Sequence, residues 1–554
     1  MKTRITDIRT MMPIVLCCLM GQGLLYGQGD ESAESQIGRF HALAVEMSQE
    51  AVYLHTDRQS FFSGDSIWFQ LYAVDQRLQR PGAWSRIVWL DLLDAGGKRL
   101  ARMPVALENG RGGGALAIPH TAETGPYFLC AYTRWMRNAG PDNLTLHEIG
   151  IIHPEQGVPE PAPKRAAPLR IDFFPEGGQL VADLENHVAF RVVEAEADSL
   201  FRSLEGYIAD DRGNEICTIQ VGPGGMGAFS FQPEAERDYF LVPSHLPEAA
   251  PRRIALPPVQ PQGMTLRITP LSDSFEVIVL AALPEVQTLH LVAHAGGLIR
   301  ENMQADISAG AAAFYLPALQ LAGGLNYLTF LNDAGEVLAE RRIYNPLRHK
   351  LHVQMETQSG RVGRRGEVVV DLRVTDAQGQ PVQAAFSVSA GSEDPLQRQP
   401  RSLQQQMALP GAGPDGPDLA DPEQADLWLR THPYRGAQWT RLLASASQPP
   451  AYLPELYAPV ITGRVIDPET GKGIGDARAY LAITGKTAHI EITRSRPGGE
   501  FLLTVPADAV GEELVVRSDR ISGKPSRVEL FSLPELAAAE LPAPLPWPED
   551  AQSR

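Results

Sequence analysis

The chain has 554 residues, with 49 basic and 66 acidic side chains for a formal net charge of −17 and a pI near 5.3. That balance argues against nucleic acid as a partner and against direct adhesion to anionic lipid. The length calls for several domains, about five if each is a β-module of about 100 residues. Its 50 glycines and 45 prolines supply the turns that such modules need.

In chain order, Lys2, Arg4 and Arg9 precede a mostly apolar run from Met11 to Leu25, and Leu25-Tyr-Gly27 is a weak cleavage site. This predicts an export signal over residues 1–27, with the mature protein beginning near Gln28. Leu16 and Cys17 stand where a lipoprotein signal wants small residues, which disfavours a lipid anchor. No other stretch approaches a membrane span. The remaining cysteines, Cys130 and Cys217, alternate in phase with apolar neighbours. They read as buried strand residues, with a bridge between them left open by an oxidising compartment.

Ser35 to Gln49 has apolar residues near helical spacing and predicts a short leading helix. Val52 to Tyr72 reads as strand, turn, strand. Val52 and Leu54 alternate with Tyr53 and His55, Ser63-Gly64-Asp65 breaks the chain, and Ile67, Phe69 and Leu71 share one face. A first sandwich is expected over 45–153, followed by a Pro-rich linker over 154–168. Further sandwiches are expected over 169–262 and 263–348, and a partial one over 349–390. Recurring Asp-x-Gly and Asp-x-x-Gly sequences at Asp94, Asp211, Asp333 and Asp376 mark hairpin turns. Residues 391–424 are rich in Pro, Gly, Gln and Asp and predict a flexible segment. Residues 425–455 form a short helical or irregular segment, 456–531 a last sandwich and 532–554 a tail.

Several of these stretches carry a resemblance. Tyr53-Leu-His-Thr-Asp-Arg58 with Ile67-Trp-Phe-Gln-Leu-Tyr72, Ala131-Tyr-Thr-Arg-Trp-Met-Arg-Asn138, Phe173-Phe-Pro-Glu-Gly-Gly178 and Gly225-Met-Gly-Ala-Phe-Ser-Phe231 resemble a family of bacterial cell-envelope proteins. Those proteins have macroglobulin-type β-sandwich domains. Ile461-Thr-Gly-Arg-Val-Ile-Asp467 and Gly498-Gly-Glu-Phe-Leu-Leu503 resemble the carboxypeptidase-regulatory-like domain, a small transthyretin-like sandwich. The resemblance implies an all-β fold, a tandem array of immunoglobulin-like, macroglobulin-type sandwiches ending in a transthyretin-like one. It also implies a periplasmic or outer-membrane-associated protein, related to chains found beside TonB-dependent receptors. The Cys-Gly-Glu-Gln thioester of protease-trapping macroglobulins has no counterpart at Cys130 or Cys217.

Candidate sites reduce to structural readings. Gly222-Pro-Gly-Gly-Met-Gly227 matches a dinucleotide-binding pattern, but a strand pattern follows where a helix would have to begin, so it reads as a hairpin turn. His55 and Asp57 share a strand face and predict a structural polar pair rather than catalysis. Trp84, Trp89 and Trp135 offer a sugar-stacking face, with core packing favoured for Trp89. The 13 histidines show no zinc spacing. No catalytic, cofactor-binding or metal-ligating residue is assigned, and no cofactor is expected. The function expected is an exported, non-enzymatic binding or scaffold protein with a protein partner in the cell envelope. Outer-membrane association would then need no transmembrane span. A macroglobulin-like endopeptidase inhibitor using 391–424 as bait and a carbohydrate-binding module are the alternatives.

Overall fold

The computed structural model describes residues 32–531 except 47–49, 77–79, 83, 141–142, 157–169, 195–203, 245–252, 347–350, 359–362, 364–365, 391–402, 410–415, 433–438, 440–442, 444–451, 457, 485–487, 507–512 and 521. The expected export signal and tail lie outside these residues. The described fold is all-β: four two-layered sandwiches and one unclosed layer, joined by three helices.

In the first sandwich, Glu50–Thr56, Ser66–Asp75 and Arg111–Ala117 form one sheet, with Arg80–Pro81 at its end. Ser60–Phe62, Thr145–Ile152, Gly125–Tyr132, Ile87–Asp94 and Arg99–Ala106 form the other. The short strand Ser60–Phe62 crosses between layers and pairs parallel with Thr145–Ile152. Asp65 makes that crossing possible. Its Oδ2 accepts the Phe62 N–H at 3.0 Å and the Arg58 guanidinium at 3.0 Å, while Gly64 takes a positive φ of 88°. Val52, Leu54, Ile67, Phe69 and Leu71 all point inward against Leu90, Leu92, Phe128 and Cys130, as period-two alternation requires. Cys130 is fully buried, and burial pushes its thiol well above the usual range. Asp91 is buried too, held by Arg102 at 2.6 Å and by the Tyr132 hydroxyl at 2.9 Å.

The second sandwich pairs Arg170–Pro175, Asn186–Glu194 and Met226–Phe231 against Glu215–Gln220, Glu205–Asp210, Tyr239–Pro243 and Ile254–Ala255. A chain of ring contacts fills it, from Phe173 through Phe190, Phe229 and Phe231 to Tyr239. A side chain on Gly227 would collide with the Phe190 ring, which explains the glycine before Ala-Phe-Ser-Phe. The third sandwich pairs Gly263–Pro270, Ser274–Ala282 and Ala311–Pro317 with Leu298–Asp306, Thr288–Ala295, Gly324–Leu331 and Val337–Asn345. The last has two three-stranded sheets, Glu500–Thr504, Val460–Ile466 and Arg527–Leu530 over His489–Arg494, Arg478–Thr484 and Glu513–Asp519. Val465, Leu481, Phe501 and Leu503 form its core.

The hairpin turns recur with one geometry. Asp94, Asp210, Asn332 and Asp376 each receive the backbone N–H four residues on, at 2.8–2.9 Å, through a side-chain oxygen. The glycine at the fourth turn position, Gly97, Gly213, Gly335 or Gly379, sits at positive φ. A bulge adjoins the first three turns. This is a type I turn closed by a glycine bulge. The Asp211 and Asp333 of the sequence pattern are therefore displaced by one position. Asp211 instead faces Arg237 at 3.6 Å, and Asp333 meets His290 at 3.1 Å.

The helices join the sandwiches. Helix α1 (Ala33–Glu46) lies on the third sandwich, where Phe40 stacks on Trp439 at 4.0 Å beside His294. Helix α2 (Leu403–Ala408) packs Leu403 against Ala51, Tyr53 and Val74 of the first sandwich. Its Ala408 meets Gly324 of the third. Helix α3 (Pro422–Thr431) is capped by Asp421, which accepts from the N–H groups of Glu423 and Gln424 at 3.0 and 3.1 Å. It wedges between the second and third sandwiches. There Glu176 takes Arg341 at 3.0 Å and Arg430 at 2.9 Å, and Asp426 takes Arg341 at 2.7 Å. The composition of 391–424 predicts flexibility, yet its described residues 403–409 and 416–424 include helix. Few apolar residues suffice, because Leu403 packs on the first sandwich while Ala408, Leu409 and, just beyond the segment, Ala425, Trp428 and Leu429 cluster with Met226 of the second and Tyr344 of the third.

Candidate functional site

The feature that stands apart is the layer formed by residues 351–390. His352–Thr357 pairs antiparallel with Val370–Thr375, from His352 opposite Thr375 to Thr357 opposite Val370. Alternation divides the hairpin into two faces. Val353, Met355, Val370, Leu372 and Val374 lie on one; His352, Gln354, Glu356, Asp371 and Arg373 lie on the other. A turn at Asp376 brings the chain back, and the Val382 N–H reaches the Val374 carbonyl at 3.1 Å. Val382 thus joins the hairpin, and Ala384, Phe386 and Val388 alternate with Ser387 in the sequence that follows.

Ser387, pointing the other way, pins this third segment to the first sandwich. The Tyr72 hydroxyl donates to Ser387 Oγ at 2.8 Å, and Ser387 Oγ lies 2.5 Å from His55 Nδ1. Burial lowers the pKa of His55, which favours the neutral ring beside the serine hydroxyl. A serine nucleophile needs its histidine oriented by an acceptor and an oxyanion hole nearby. The two bonds hold the third segment against the first sandwich.

The apolar face has no second layer over it among the described residues. Met355 is 65% exposed, Val353 60%, Val388 59% and Phe386 53%, whereas the inward residues of the four complete sandwiches are buried. Monomeric proteins rarely leave a contiguous apolar face exposed. The alternation of Val-Gln-Met-Glu-Thr against Val-Asp-Leu-Arg-Val was available in the sequence. What it could not show is that no partner sheet lies over it among the described residues.

The residues singled out in the sequence are not gathered into one site. His55 turns to Ser387, while Asp57 accepts the Trp68 N–H at 3.1 Å, so the two make separate structural bonds. Gly222 and Met226 close a turn at 2.7 Å around Pro223–Gly225. That turn carries the chain from one sheet of the second sandwich to the other rather than closing a hairpin. Trp84 lies 5.7 Å from the buried Trp135 ring, and Trp89 donates to Glu455 at 2.8 Å, so the three do not share an open face. Cys130 and Cys217 are free thiols in different sandwiches; Cys217 is only half-buried. Among the described residues no group of His, Cys, Asp and Glu could hold a metal ion, and no helix is long and apolar enough to cross a membrane.

The described residues define an all-β chain of tandem sandwiches. No family model matches the sequence, and no curated protein matches it. Solved structures do. Escherichia coli alpha-2-macroglobulin activated by porcine elastase is 10% identical, with 87% of this chain matching 43% of that one at a TM-score of 0.22. Dimeric latent PorU from Porphyromonas gingivalis is 10% identical over 53% of this chain and 34% of its own, at 0.25. The Escherichia coli adhesin FdeC is 10% identical over 53% of this chain and 95% of its own, at 0.14. The chain thus spans less than half of the macroglobulin and of PorU. Likeness at this level concerns strings of β-sandwiches and nothing that those proteins bind or cut.

Proposed function

We propose that this chain is an exported, non-enzymatic scaffold that presents the uncovered layer 351–390 to a protein partner in the cell envelope. The observation that carries the reading is the two-faced layer itself, apolar and exposed on one side, held in place by the Ser387 pin. The complete sandwiches and the helices between them give it a fixed support. The acidic balance is compatible with a protein partner and opposes nucleic acid or anionic lipid. Export, and a place beside outer-membrane transport machinery, rest on the charged and apolar N-terminal sequence and on the family resemblance, which also suggests a carboxypeptidase-regulatory-like last domain.

The inhibitor alternative loses ground because α2 and the start of α3, the described helical parts of the bait region, belong to elements packed against the sandwiches. The carbohydrate alternative loses it because its tryptophans do not form one face. The scaffold reading is tested in intact cells with a photocrosslinking residue in place of Met355 or, on the opposite face, of Gln354. Crosslinks to an envelope protein from position 355 and not from 354 are expected. A position 355 that crosslinks to nothing would end this reading.

A further inference from the structure

We propose that the occupant of the uncovered layer is a second copy of this chain, packed face to face so that the two layers together form one complete sandwich. The proposal rests on reading the layer as a docking surface.

The stretches of chain next to the layer have little with which to close it. The neighbouring stretches outside the described residues, 359–362, 364–365 and 391–402, contain between them only Val362 and Leu396 as large aliphatic side chains. A sandwich needs an inner face from each sheet, every second residue apolar, with the two faces about 10 Å apart. Residues 351–390 supply one such face. Its apolar side presents Val353, Met355 and Val370, with exposed Phe386 and Val388 on either side of Ser387 beside it, and alternation sends Glu356, Asp371 and Arg373 to the other side. Stacking two identical copies therefore buries no unpaired charge and sets no like charges against each other.

The size also fits. The exposed side chains amount to an apolar patch of roughly 500 Å², near the upper end of what monomers display. Two copies would bury roughly 1,000 Å² through this layer, the lower bound of a specific interface. A twofold axis lying between the layers makes the contact isologous, the commonest form of assembly.

Sedimentation equilibrium of the full mature chain between about 1 and 50 µM reads the proposal directly. A mass of two chains is expected. Met355→Lys should raise the dimer dissociation constant by a hundredfold or more, and Gln354→Lys, on the polar face, should leave it unchanged. Matching circular dichroism and melting of the variants shows that the fold is kept. A wild-type chain monomeric at 50 µM, or a Met355→Lys chain that dimerises like wild type, overturns the proposal. If the wild type is monomeric while position 355 crosslinks to a different envelope protein in cells, the second-copy proposal falls and the docking surface stands. If position 355 crosslinks to nothing, both fall.

Discussion

Three histidines are held neutral by the packing around them. Burial lowers His294 to about 3; burial and His55 lower His147 to about 4; burial and Arg191 lower His432 to about 4. Each has an ordinary value of 6.5, so between that pH and about 4 the unfolded chain binds protons that the folded chain refuses. The stability linked to them is full above pH 6.5 and drains as the pH falls towards 4. Glu340 works in the opposite direction. Burial raises it to about 7, so its contribution is complete below its ordinary 4.5 and is lost as the pH rises through 7. Burial raises Glu455 in the same sense, and with the three histidines against these two carboxyls melting temperature should fall as pH drops from 7 to 4.5. His294 stacks on Tyr327 at 5.2 Å and touches Phe40 at 5.0 Å, so His294→Phe keeps the ring contacts and removes the titration. Calorimetry at pH 7 and 4.5 should show a smaller acid loss in that variant; a loss equal to wild type would assign the acid sensitivity elsewhere.

Among the elements, α3 carries the most consequence per residue. Glu176 on the second sandwich, Arg341 on the third and Arg430 on the helix meet in one buried network, with side-chain exposures of 5%, 7% and 13%. Breaking a buried network by removing one partner strands the others, at a cost of about 3–5 kcal/mol. Glu176→Gln should therefore destabilise strongly and let the second and third sandwiches unfold in separate steps in a denaturant titration. Asp172→Asn, which breaks an ion pair whose Arg170 is 61% exposed, should change stability by under ~1 kcal/mol. Equal effects from the two would contradict the wedge role.

The strands of these sandwiches were largely legible because period-two alternation is written residue by residue, as in Ile67, Phe69 and Leu71. The Asp-Gly turns were legible too, apart from the one-position displacement at Asp210 and Asn332, where two neighbouring polar residues compete for the capping role. The helical joinery was not. Asp421-Pro422 is a good helix start, but the packing of Trp428 and the pairing of Arg430 with Glu176 depend on surfaces more than a hundred residues away. The site was half legible: alternation gives the apolar face, while only the fold shows it uncovered. The Ser387 pin joins positions 332 residues apart and leaves no local signal.

At the scale of the whole molecule, the sandwiches are tied together on several sides rather than strung loosely. The Arg86 N–H donates to the Glu455 carbonyl at 2.6 Å, Asn138 exchanges two hydrogen bonds with Tyr452, and Arg134 reaches Thr462 at 2.9 Å. These contacts bring the approach to the last sandwich back onto the first. Against that closed frame the layer 351–390 is the open part, and the central claim is that its apolar face is bare in the isolated chain and covered when the protein is in place. Methionine-oxidation footprinting tests this within one molecule. Met355 is 65% exposed, while Met264 and Met136 are each 2% exposed and serve as internal controls. In dilute purified protein Met355 should oxidise far faster than Met264 and Met136, and in intact cells it should become as protected as they are. Met355 oxidising equally fast in both settings would contradict the account.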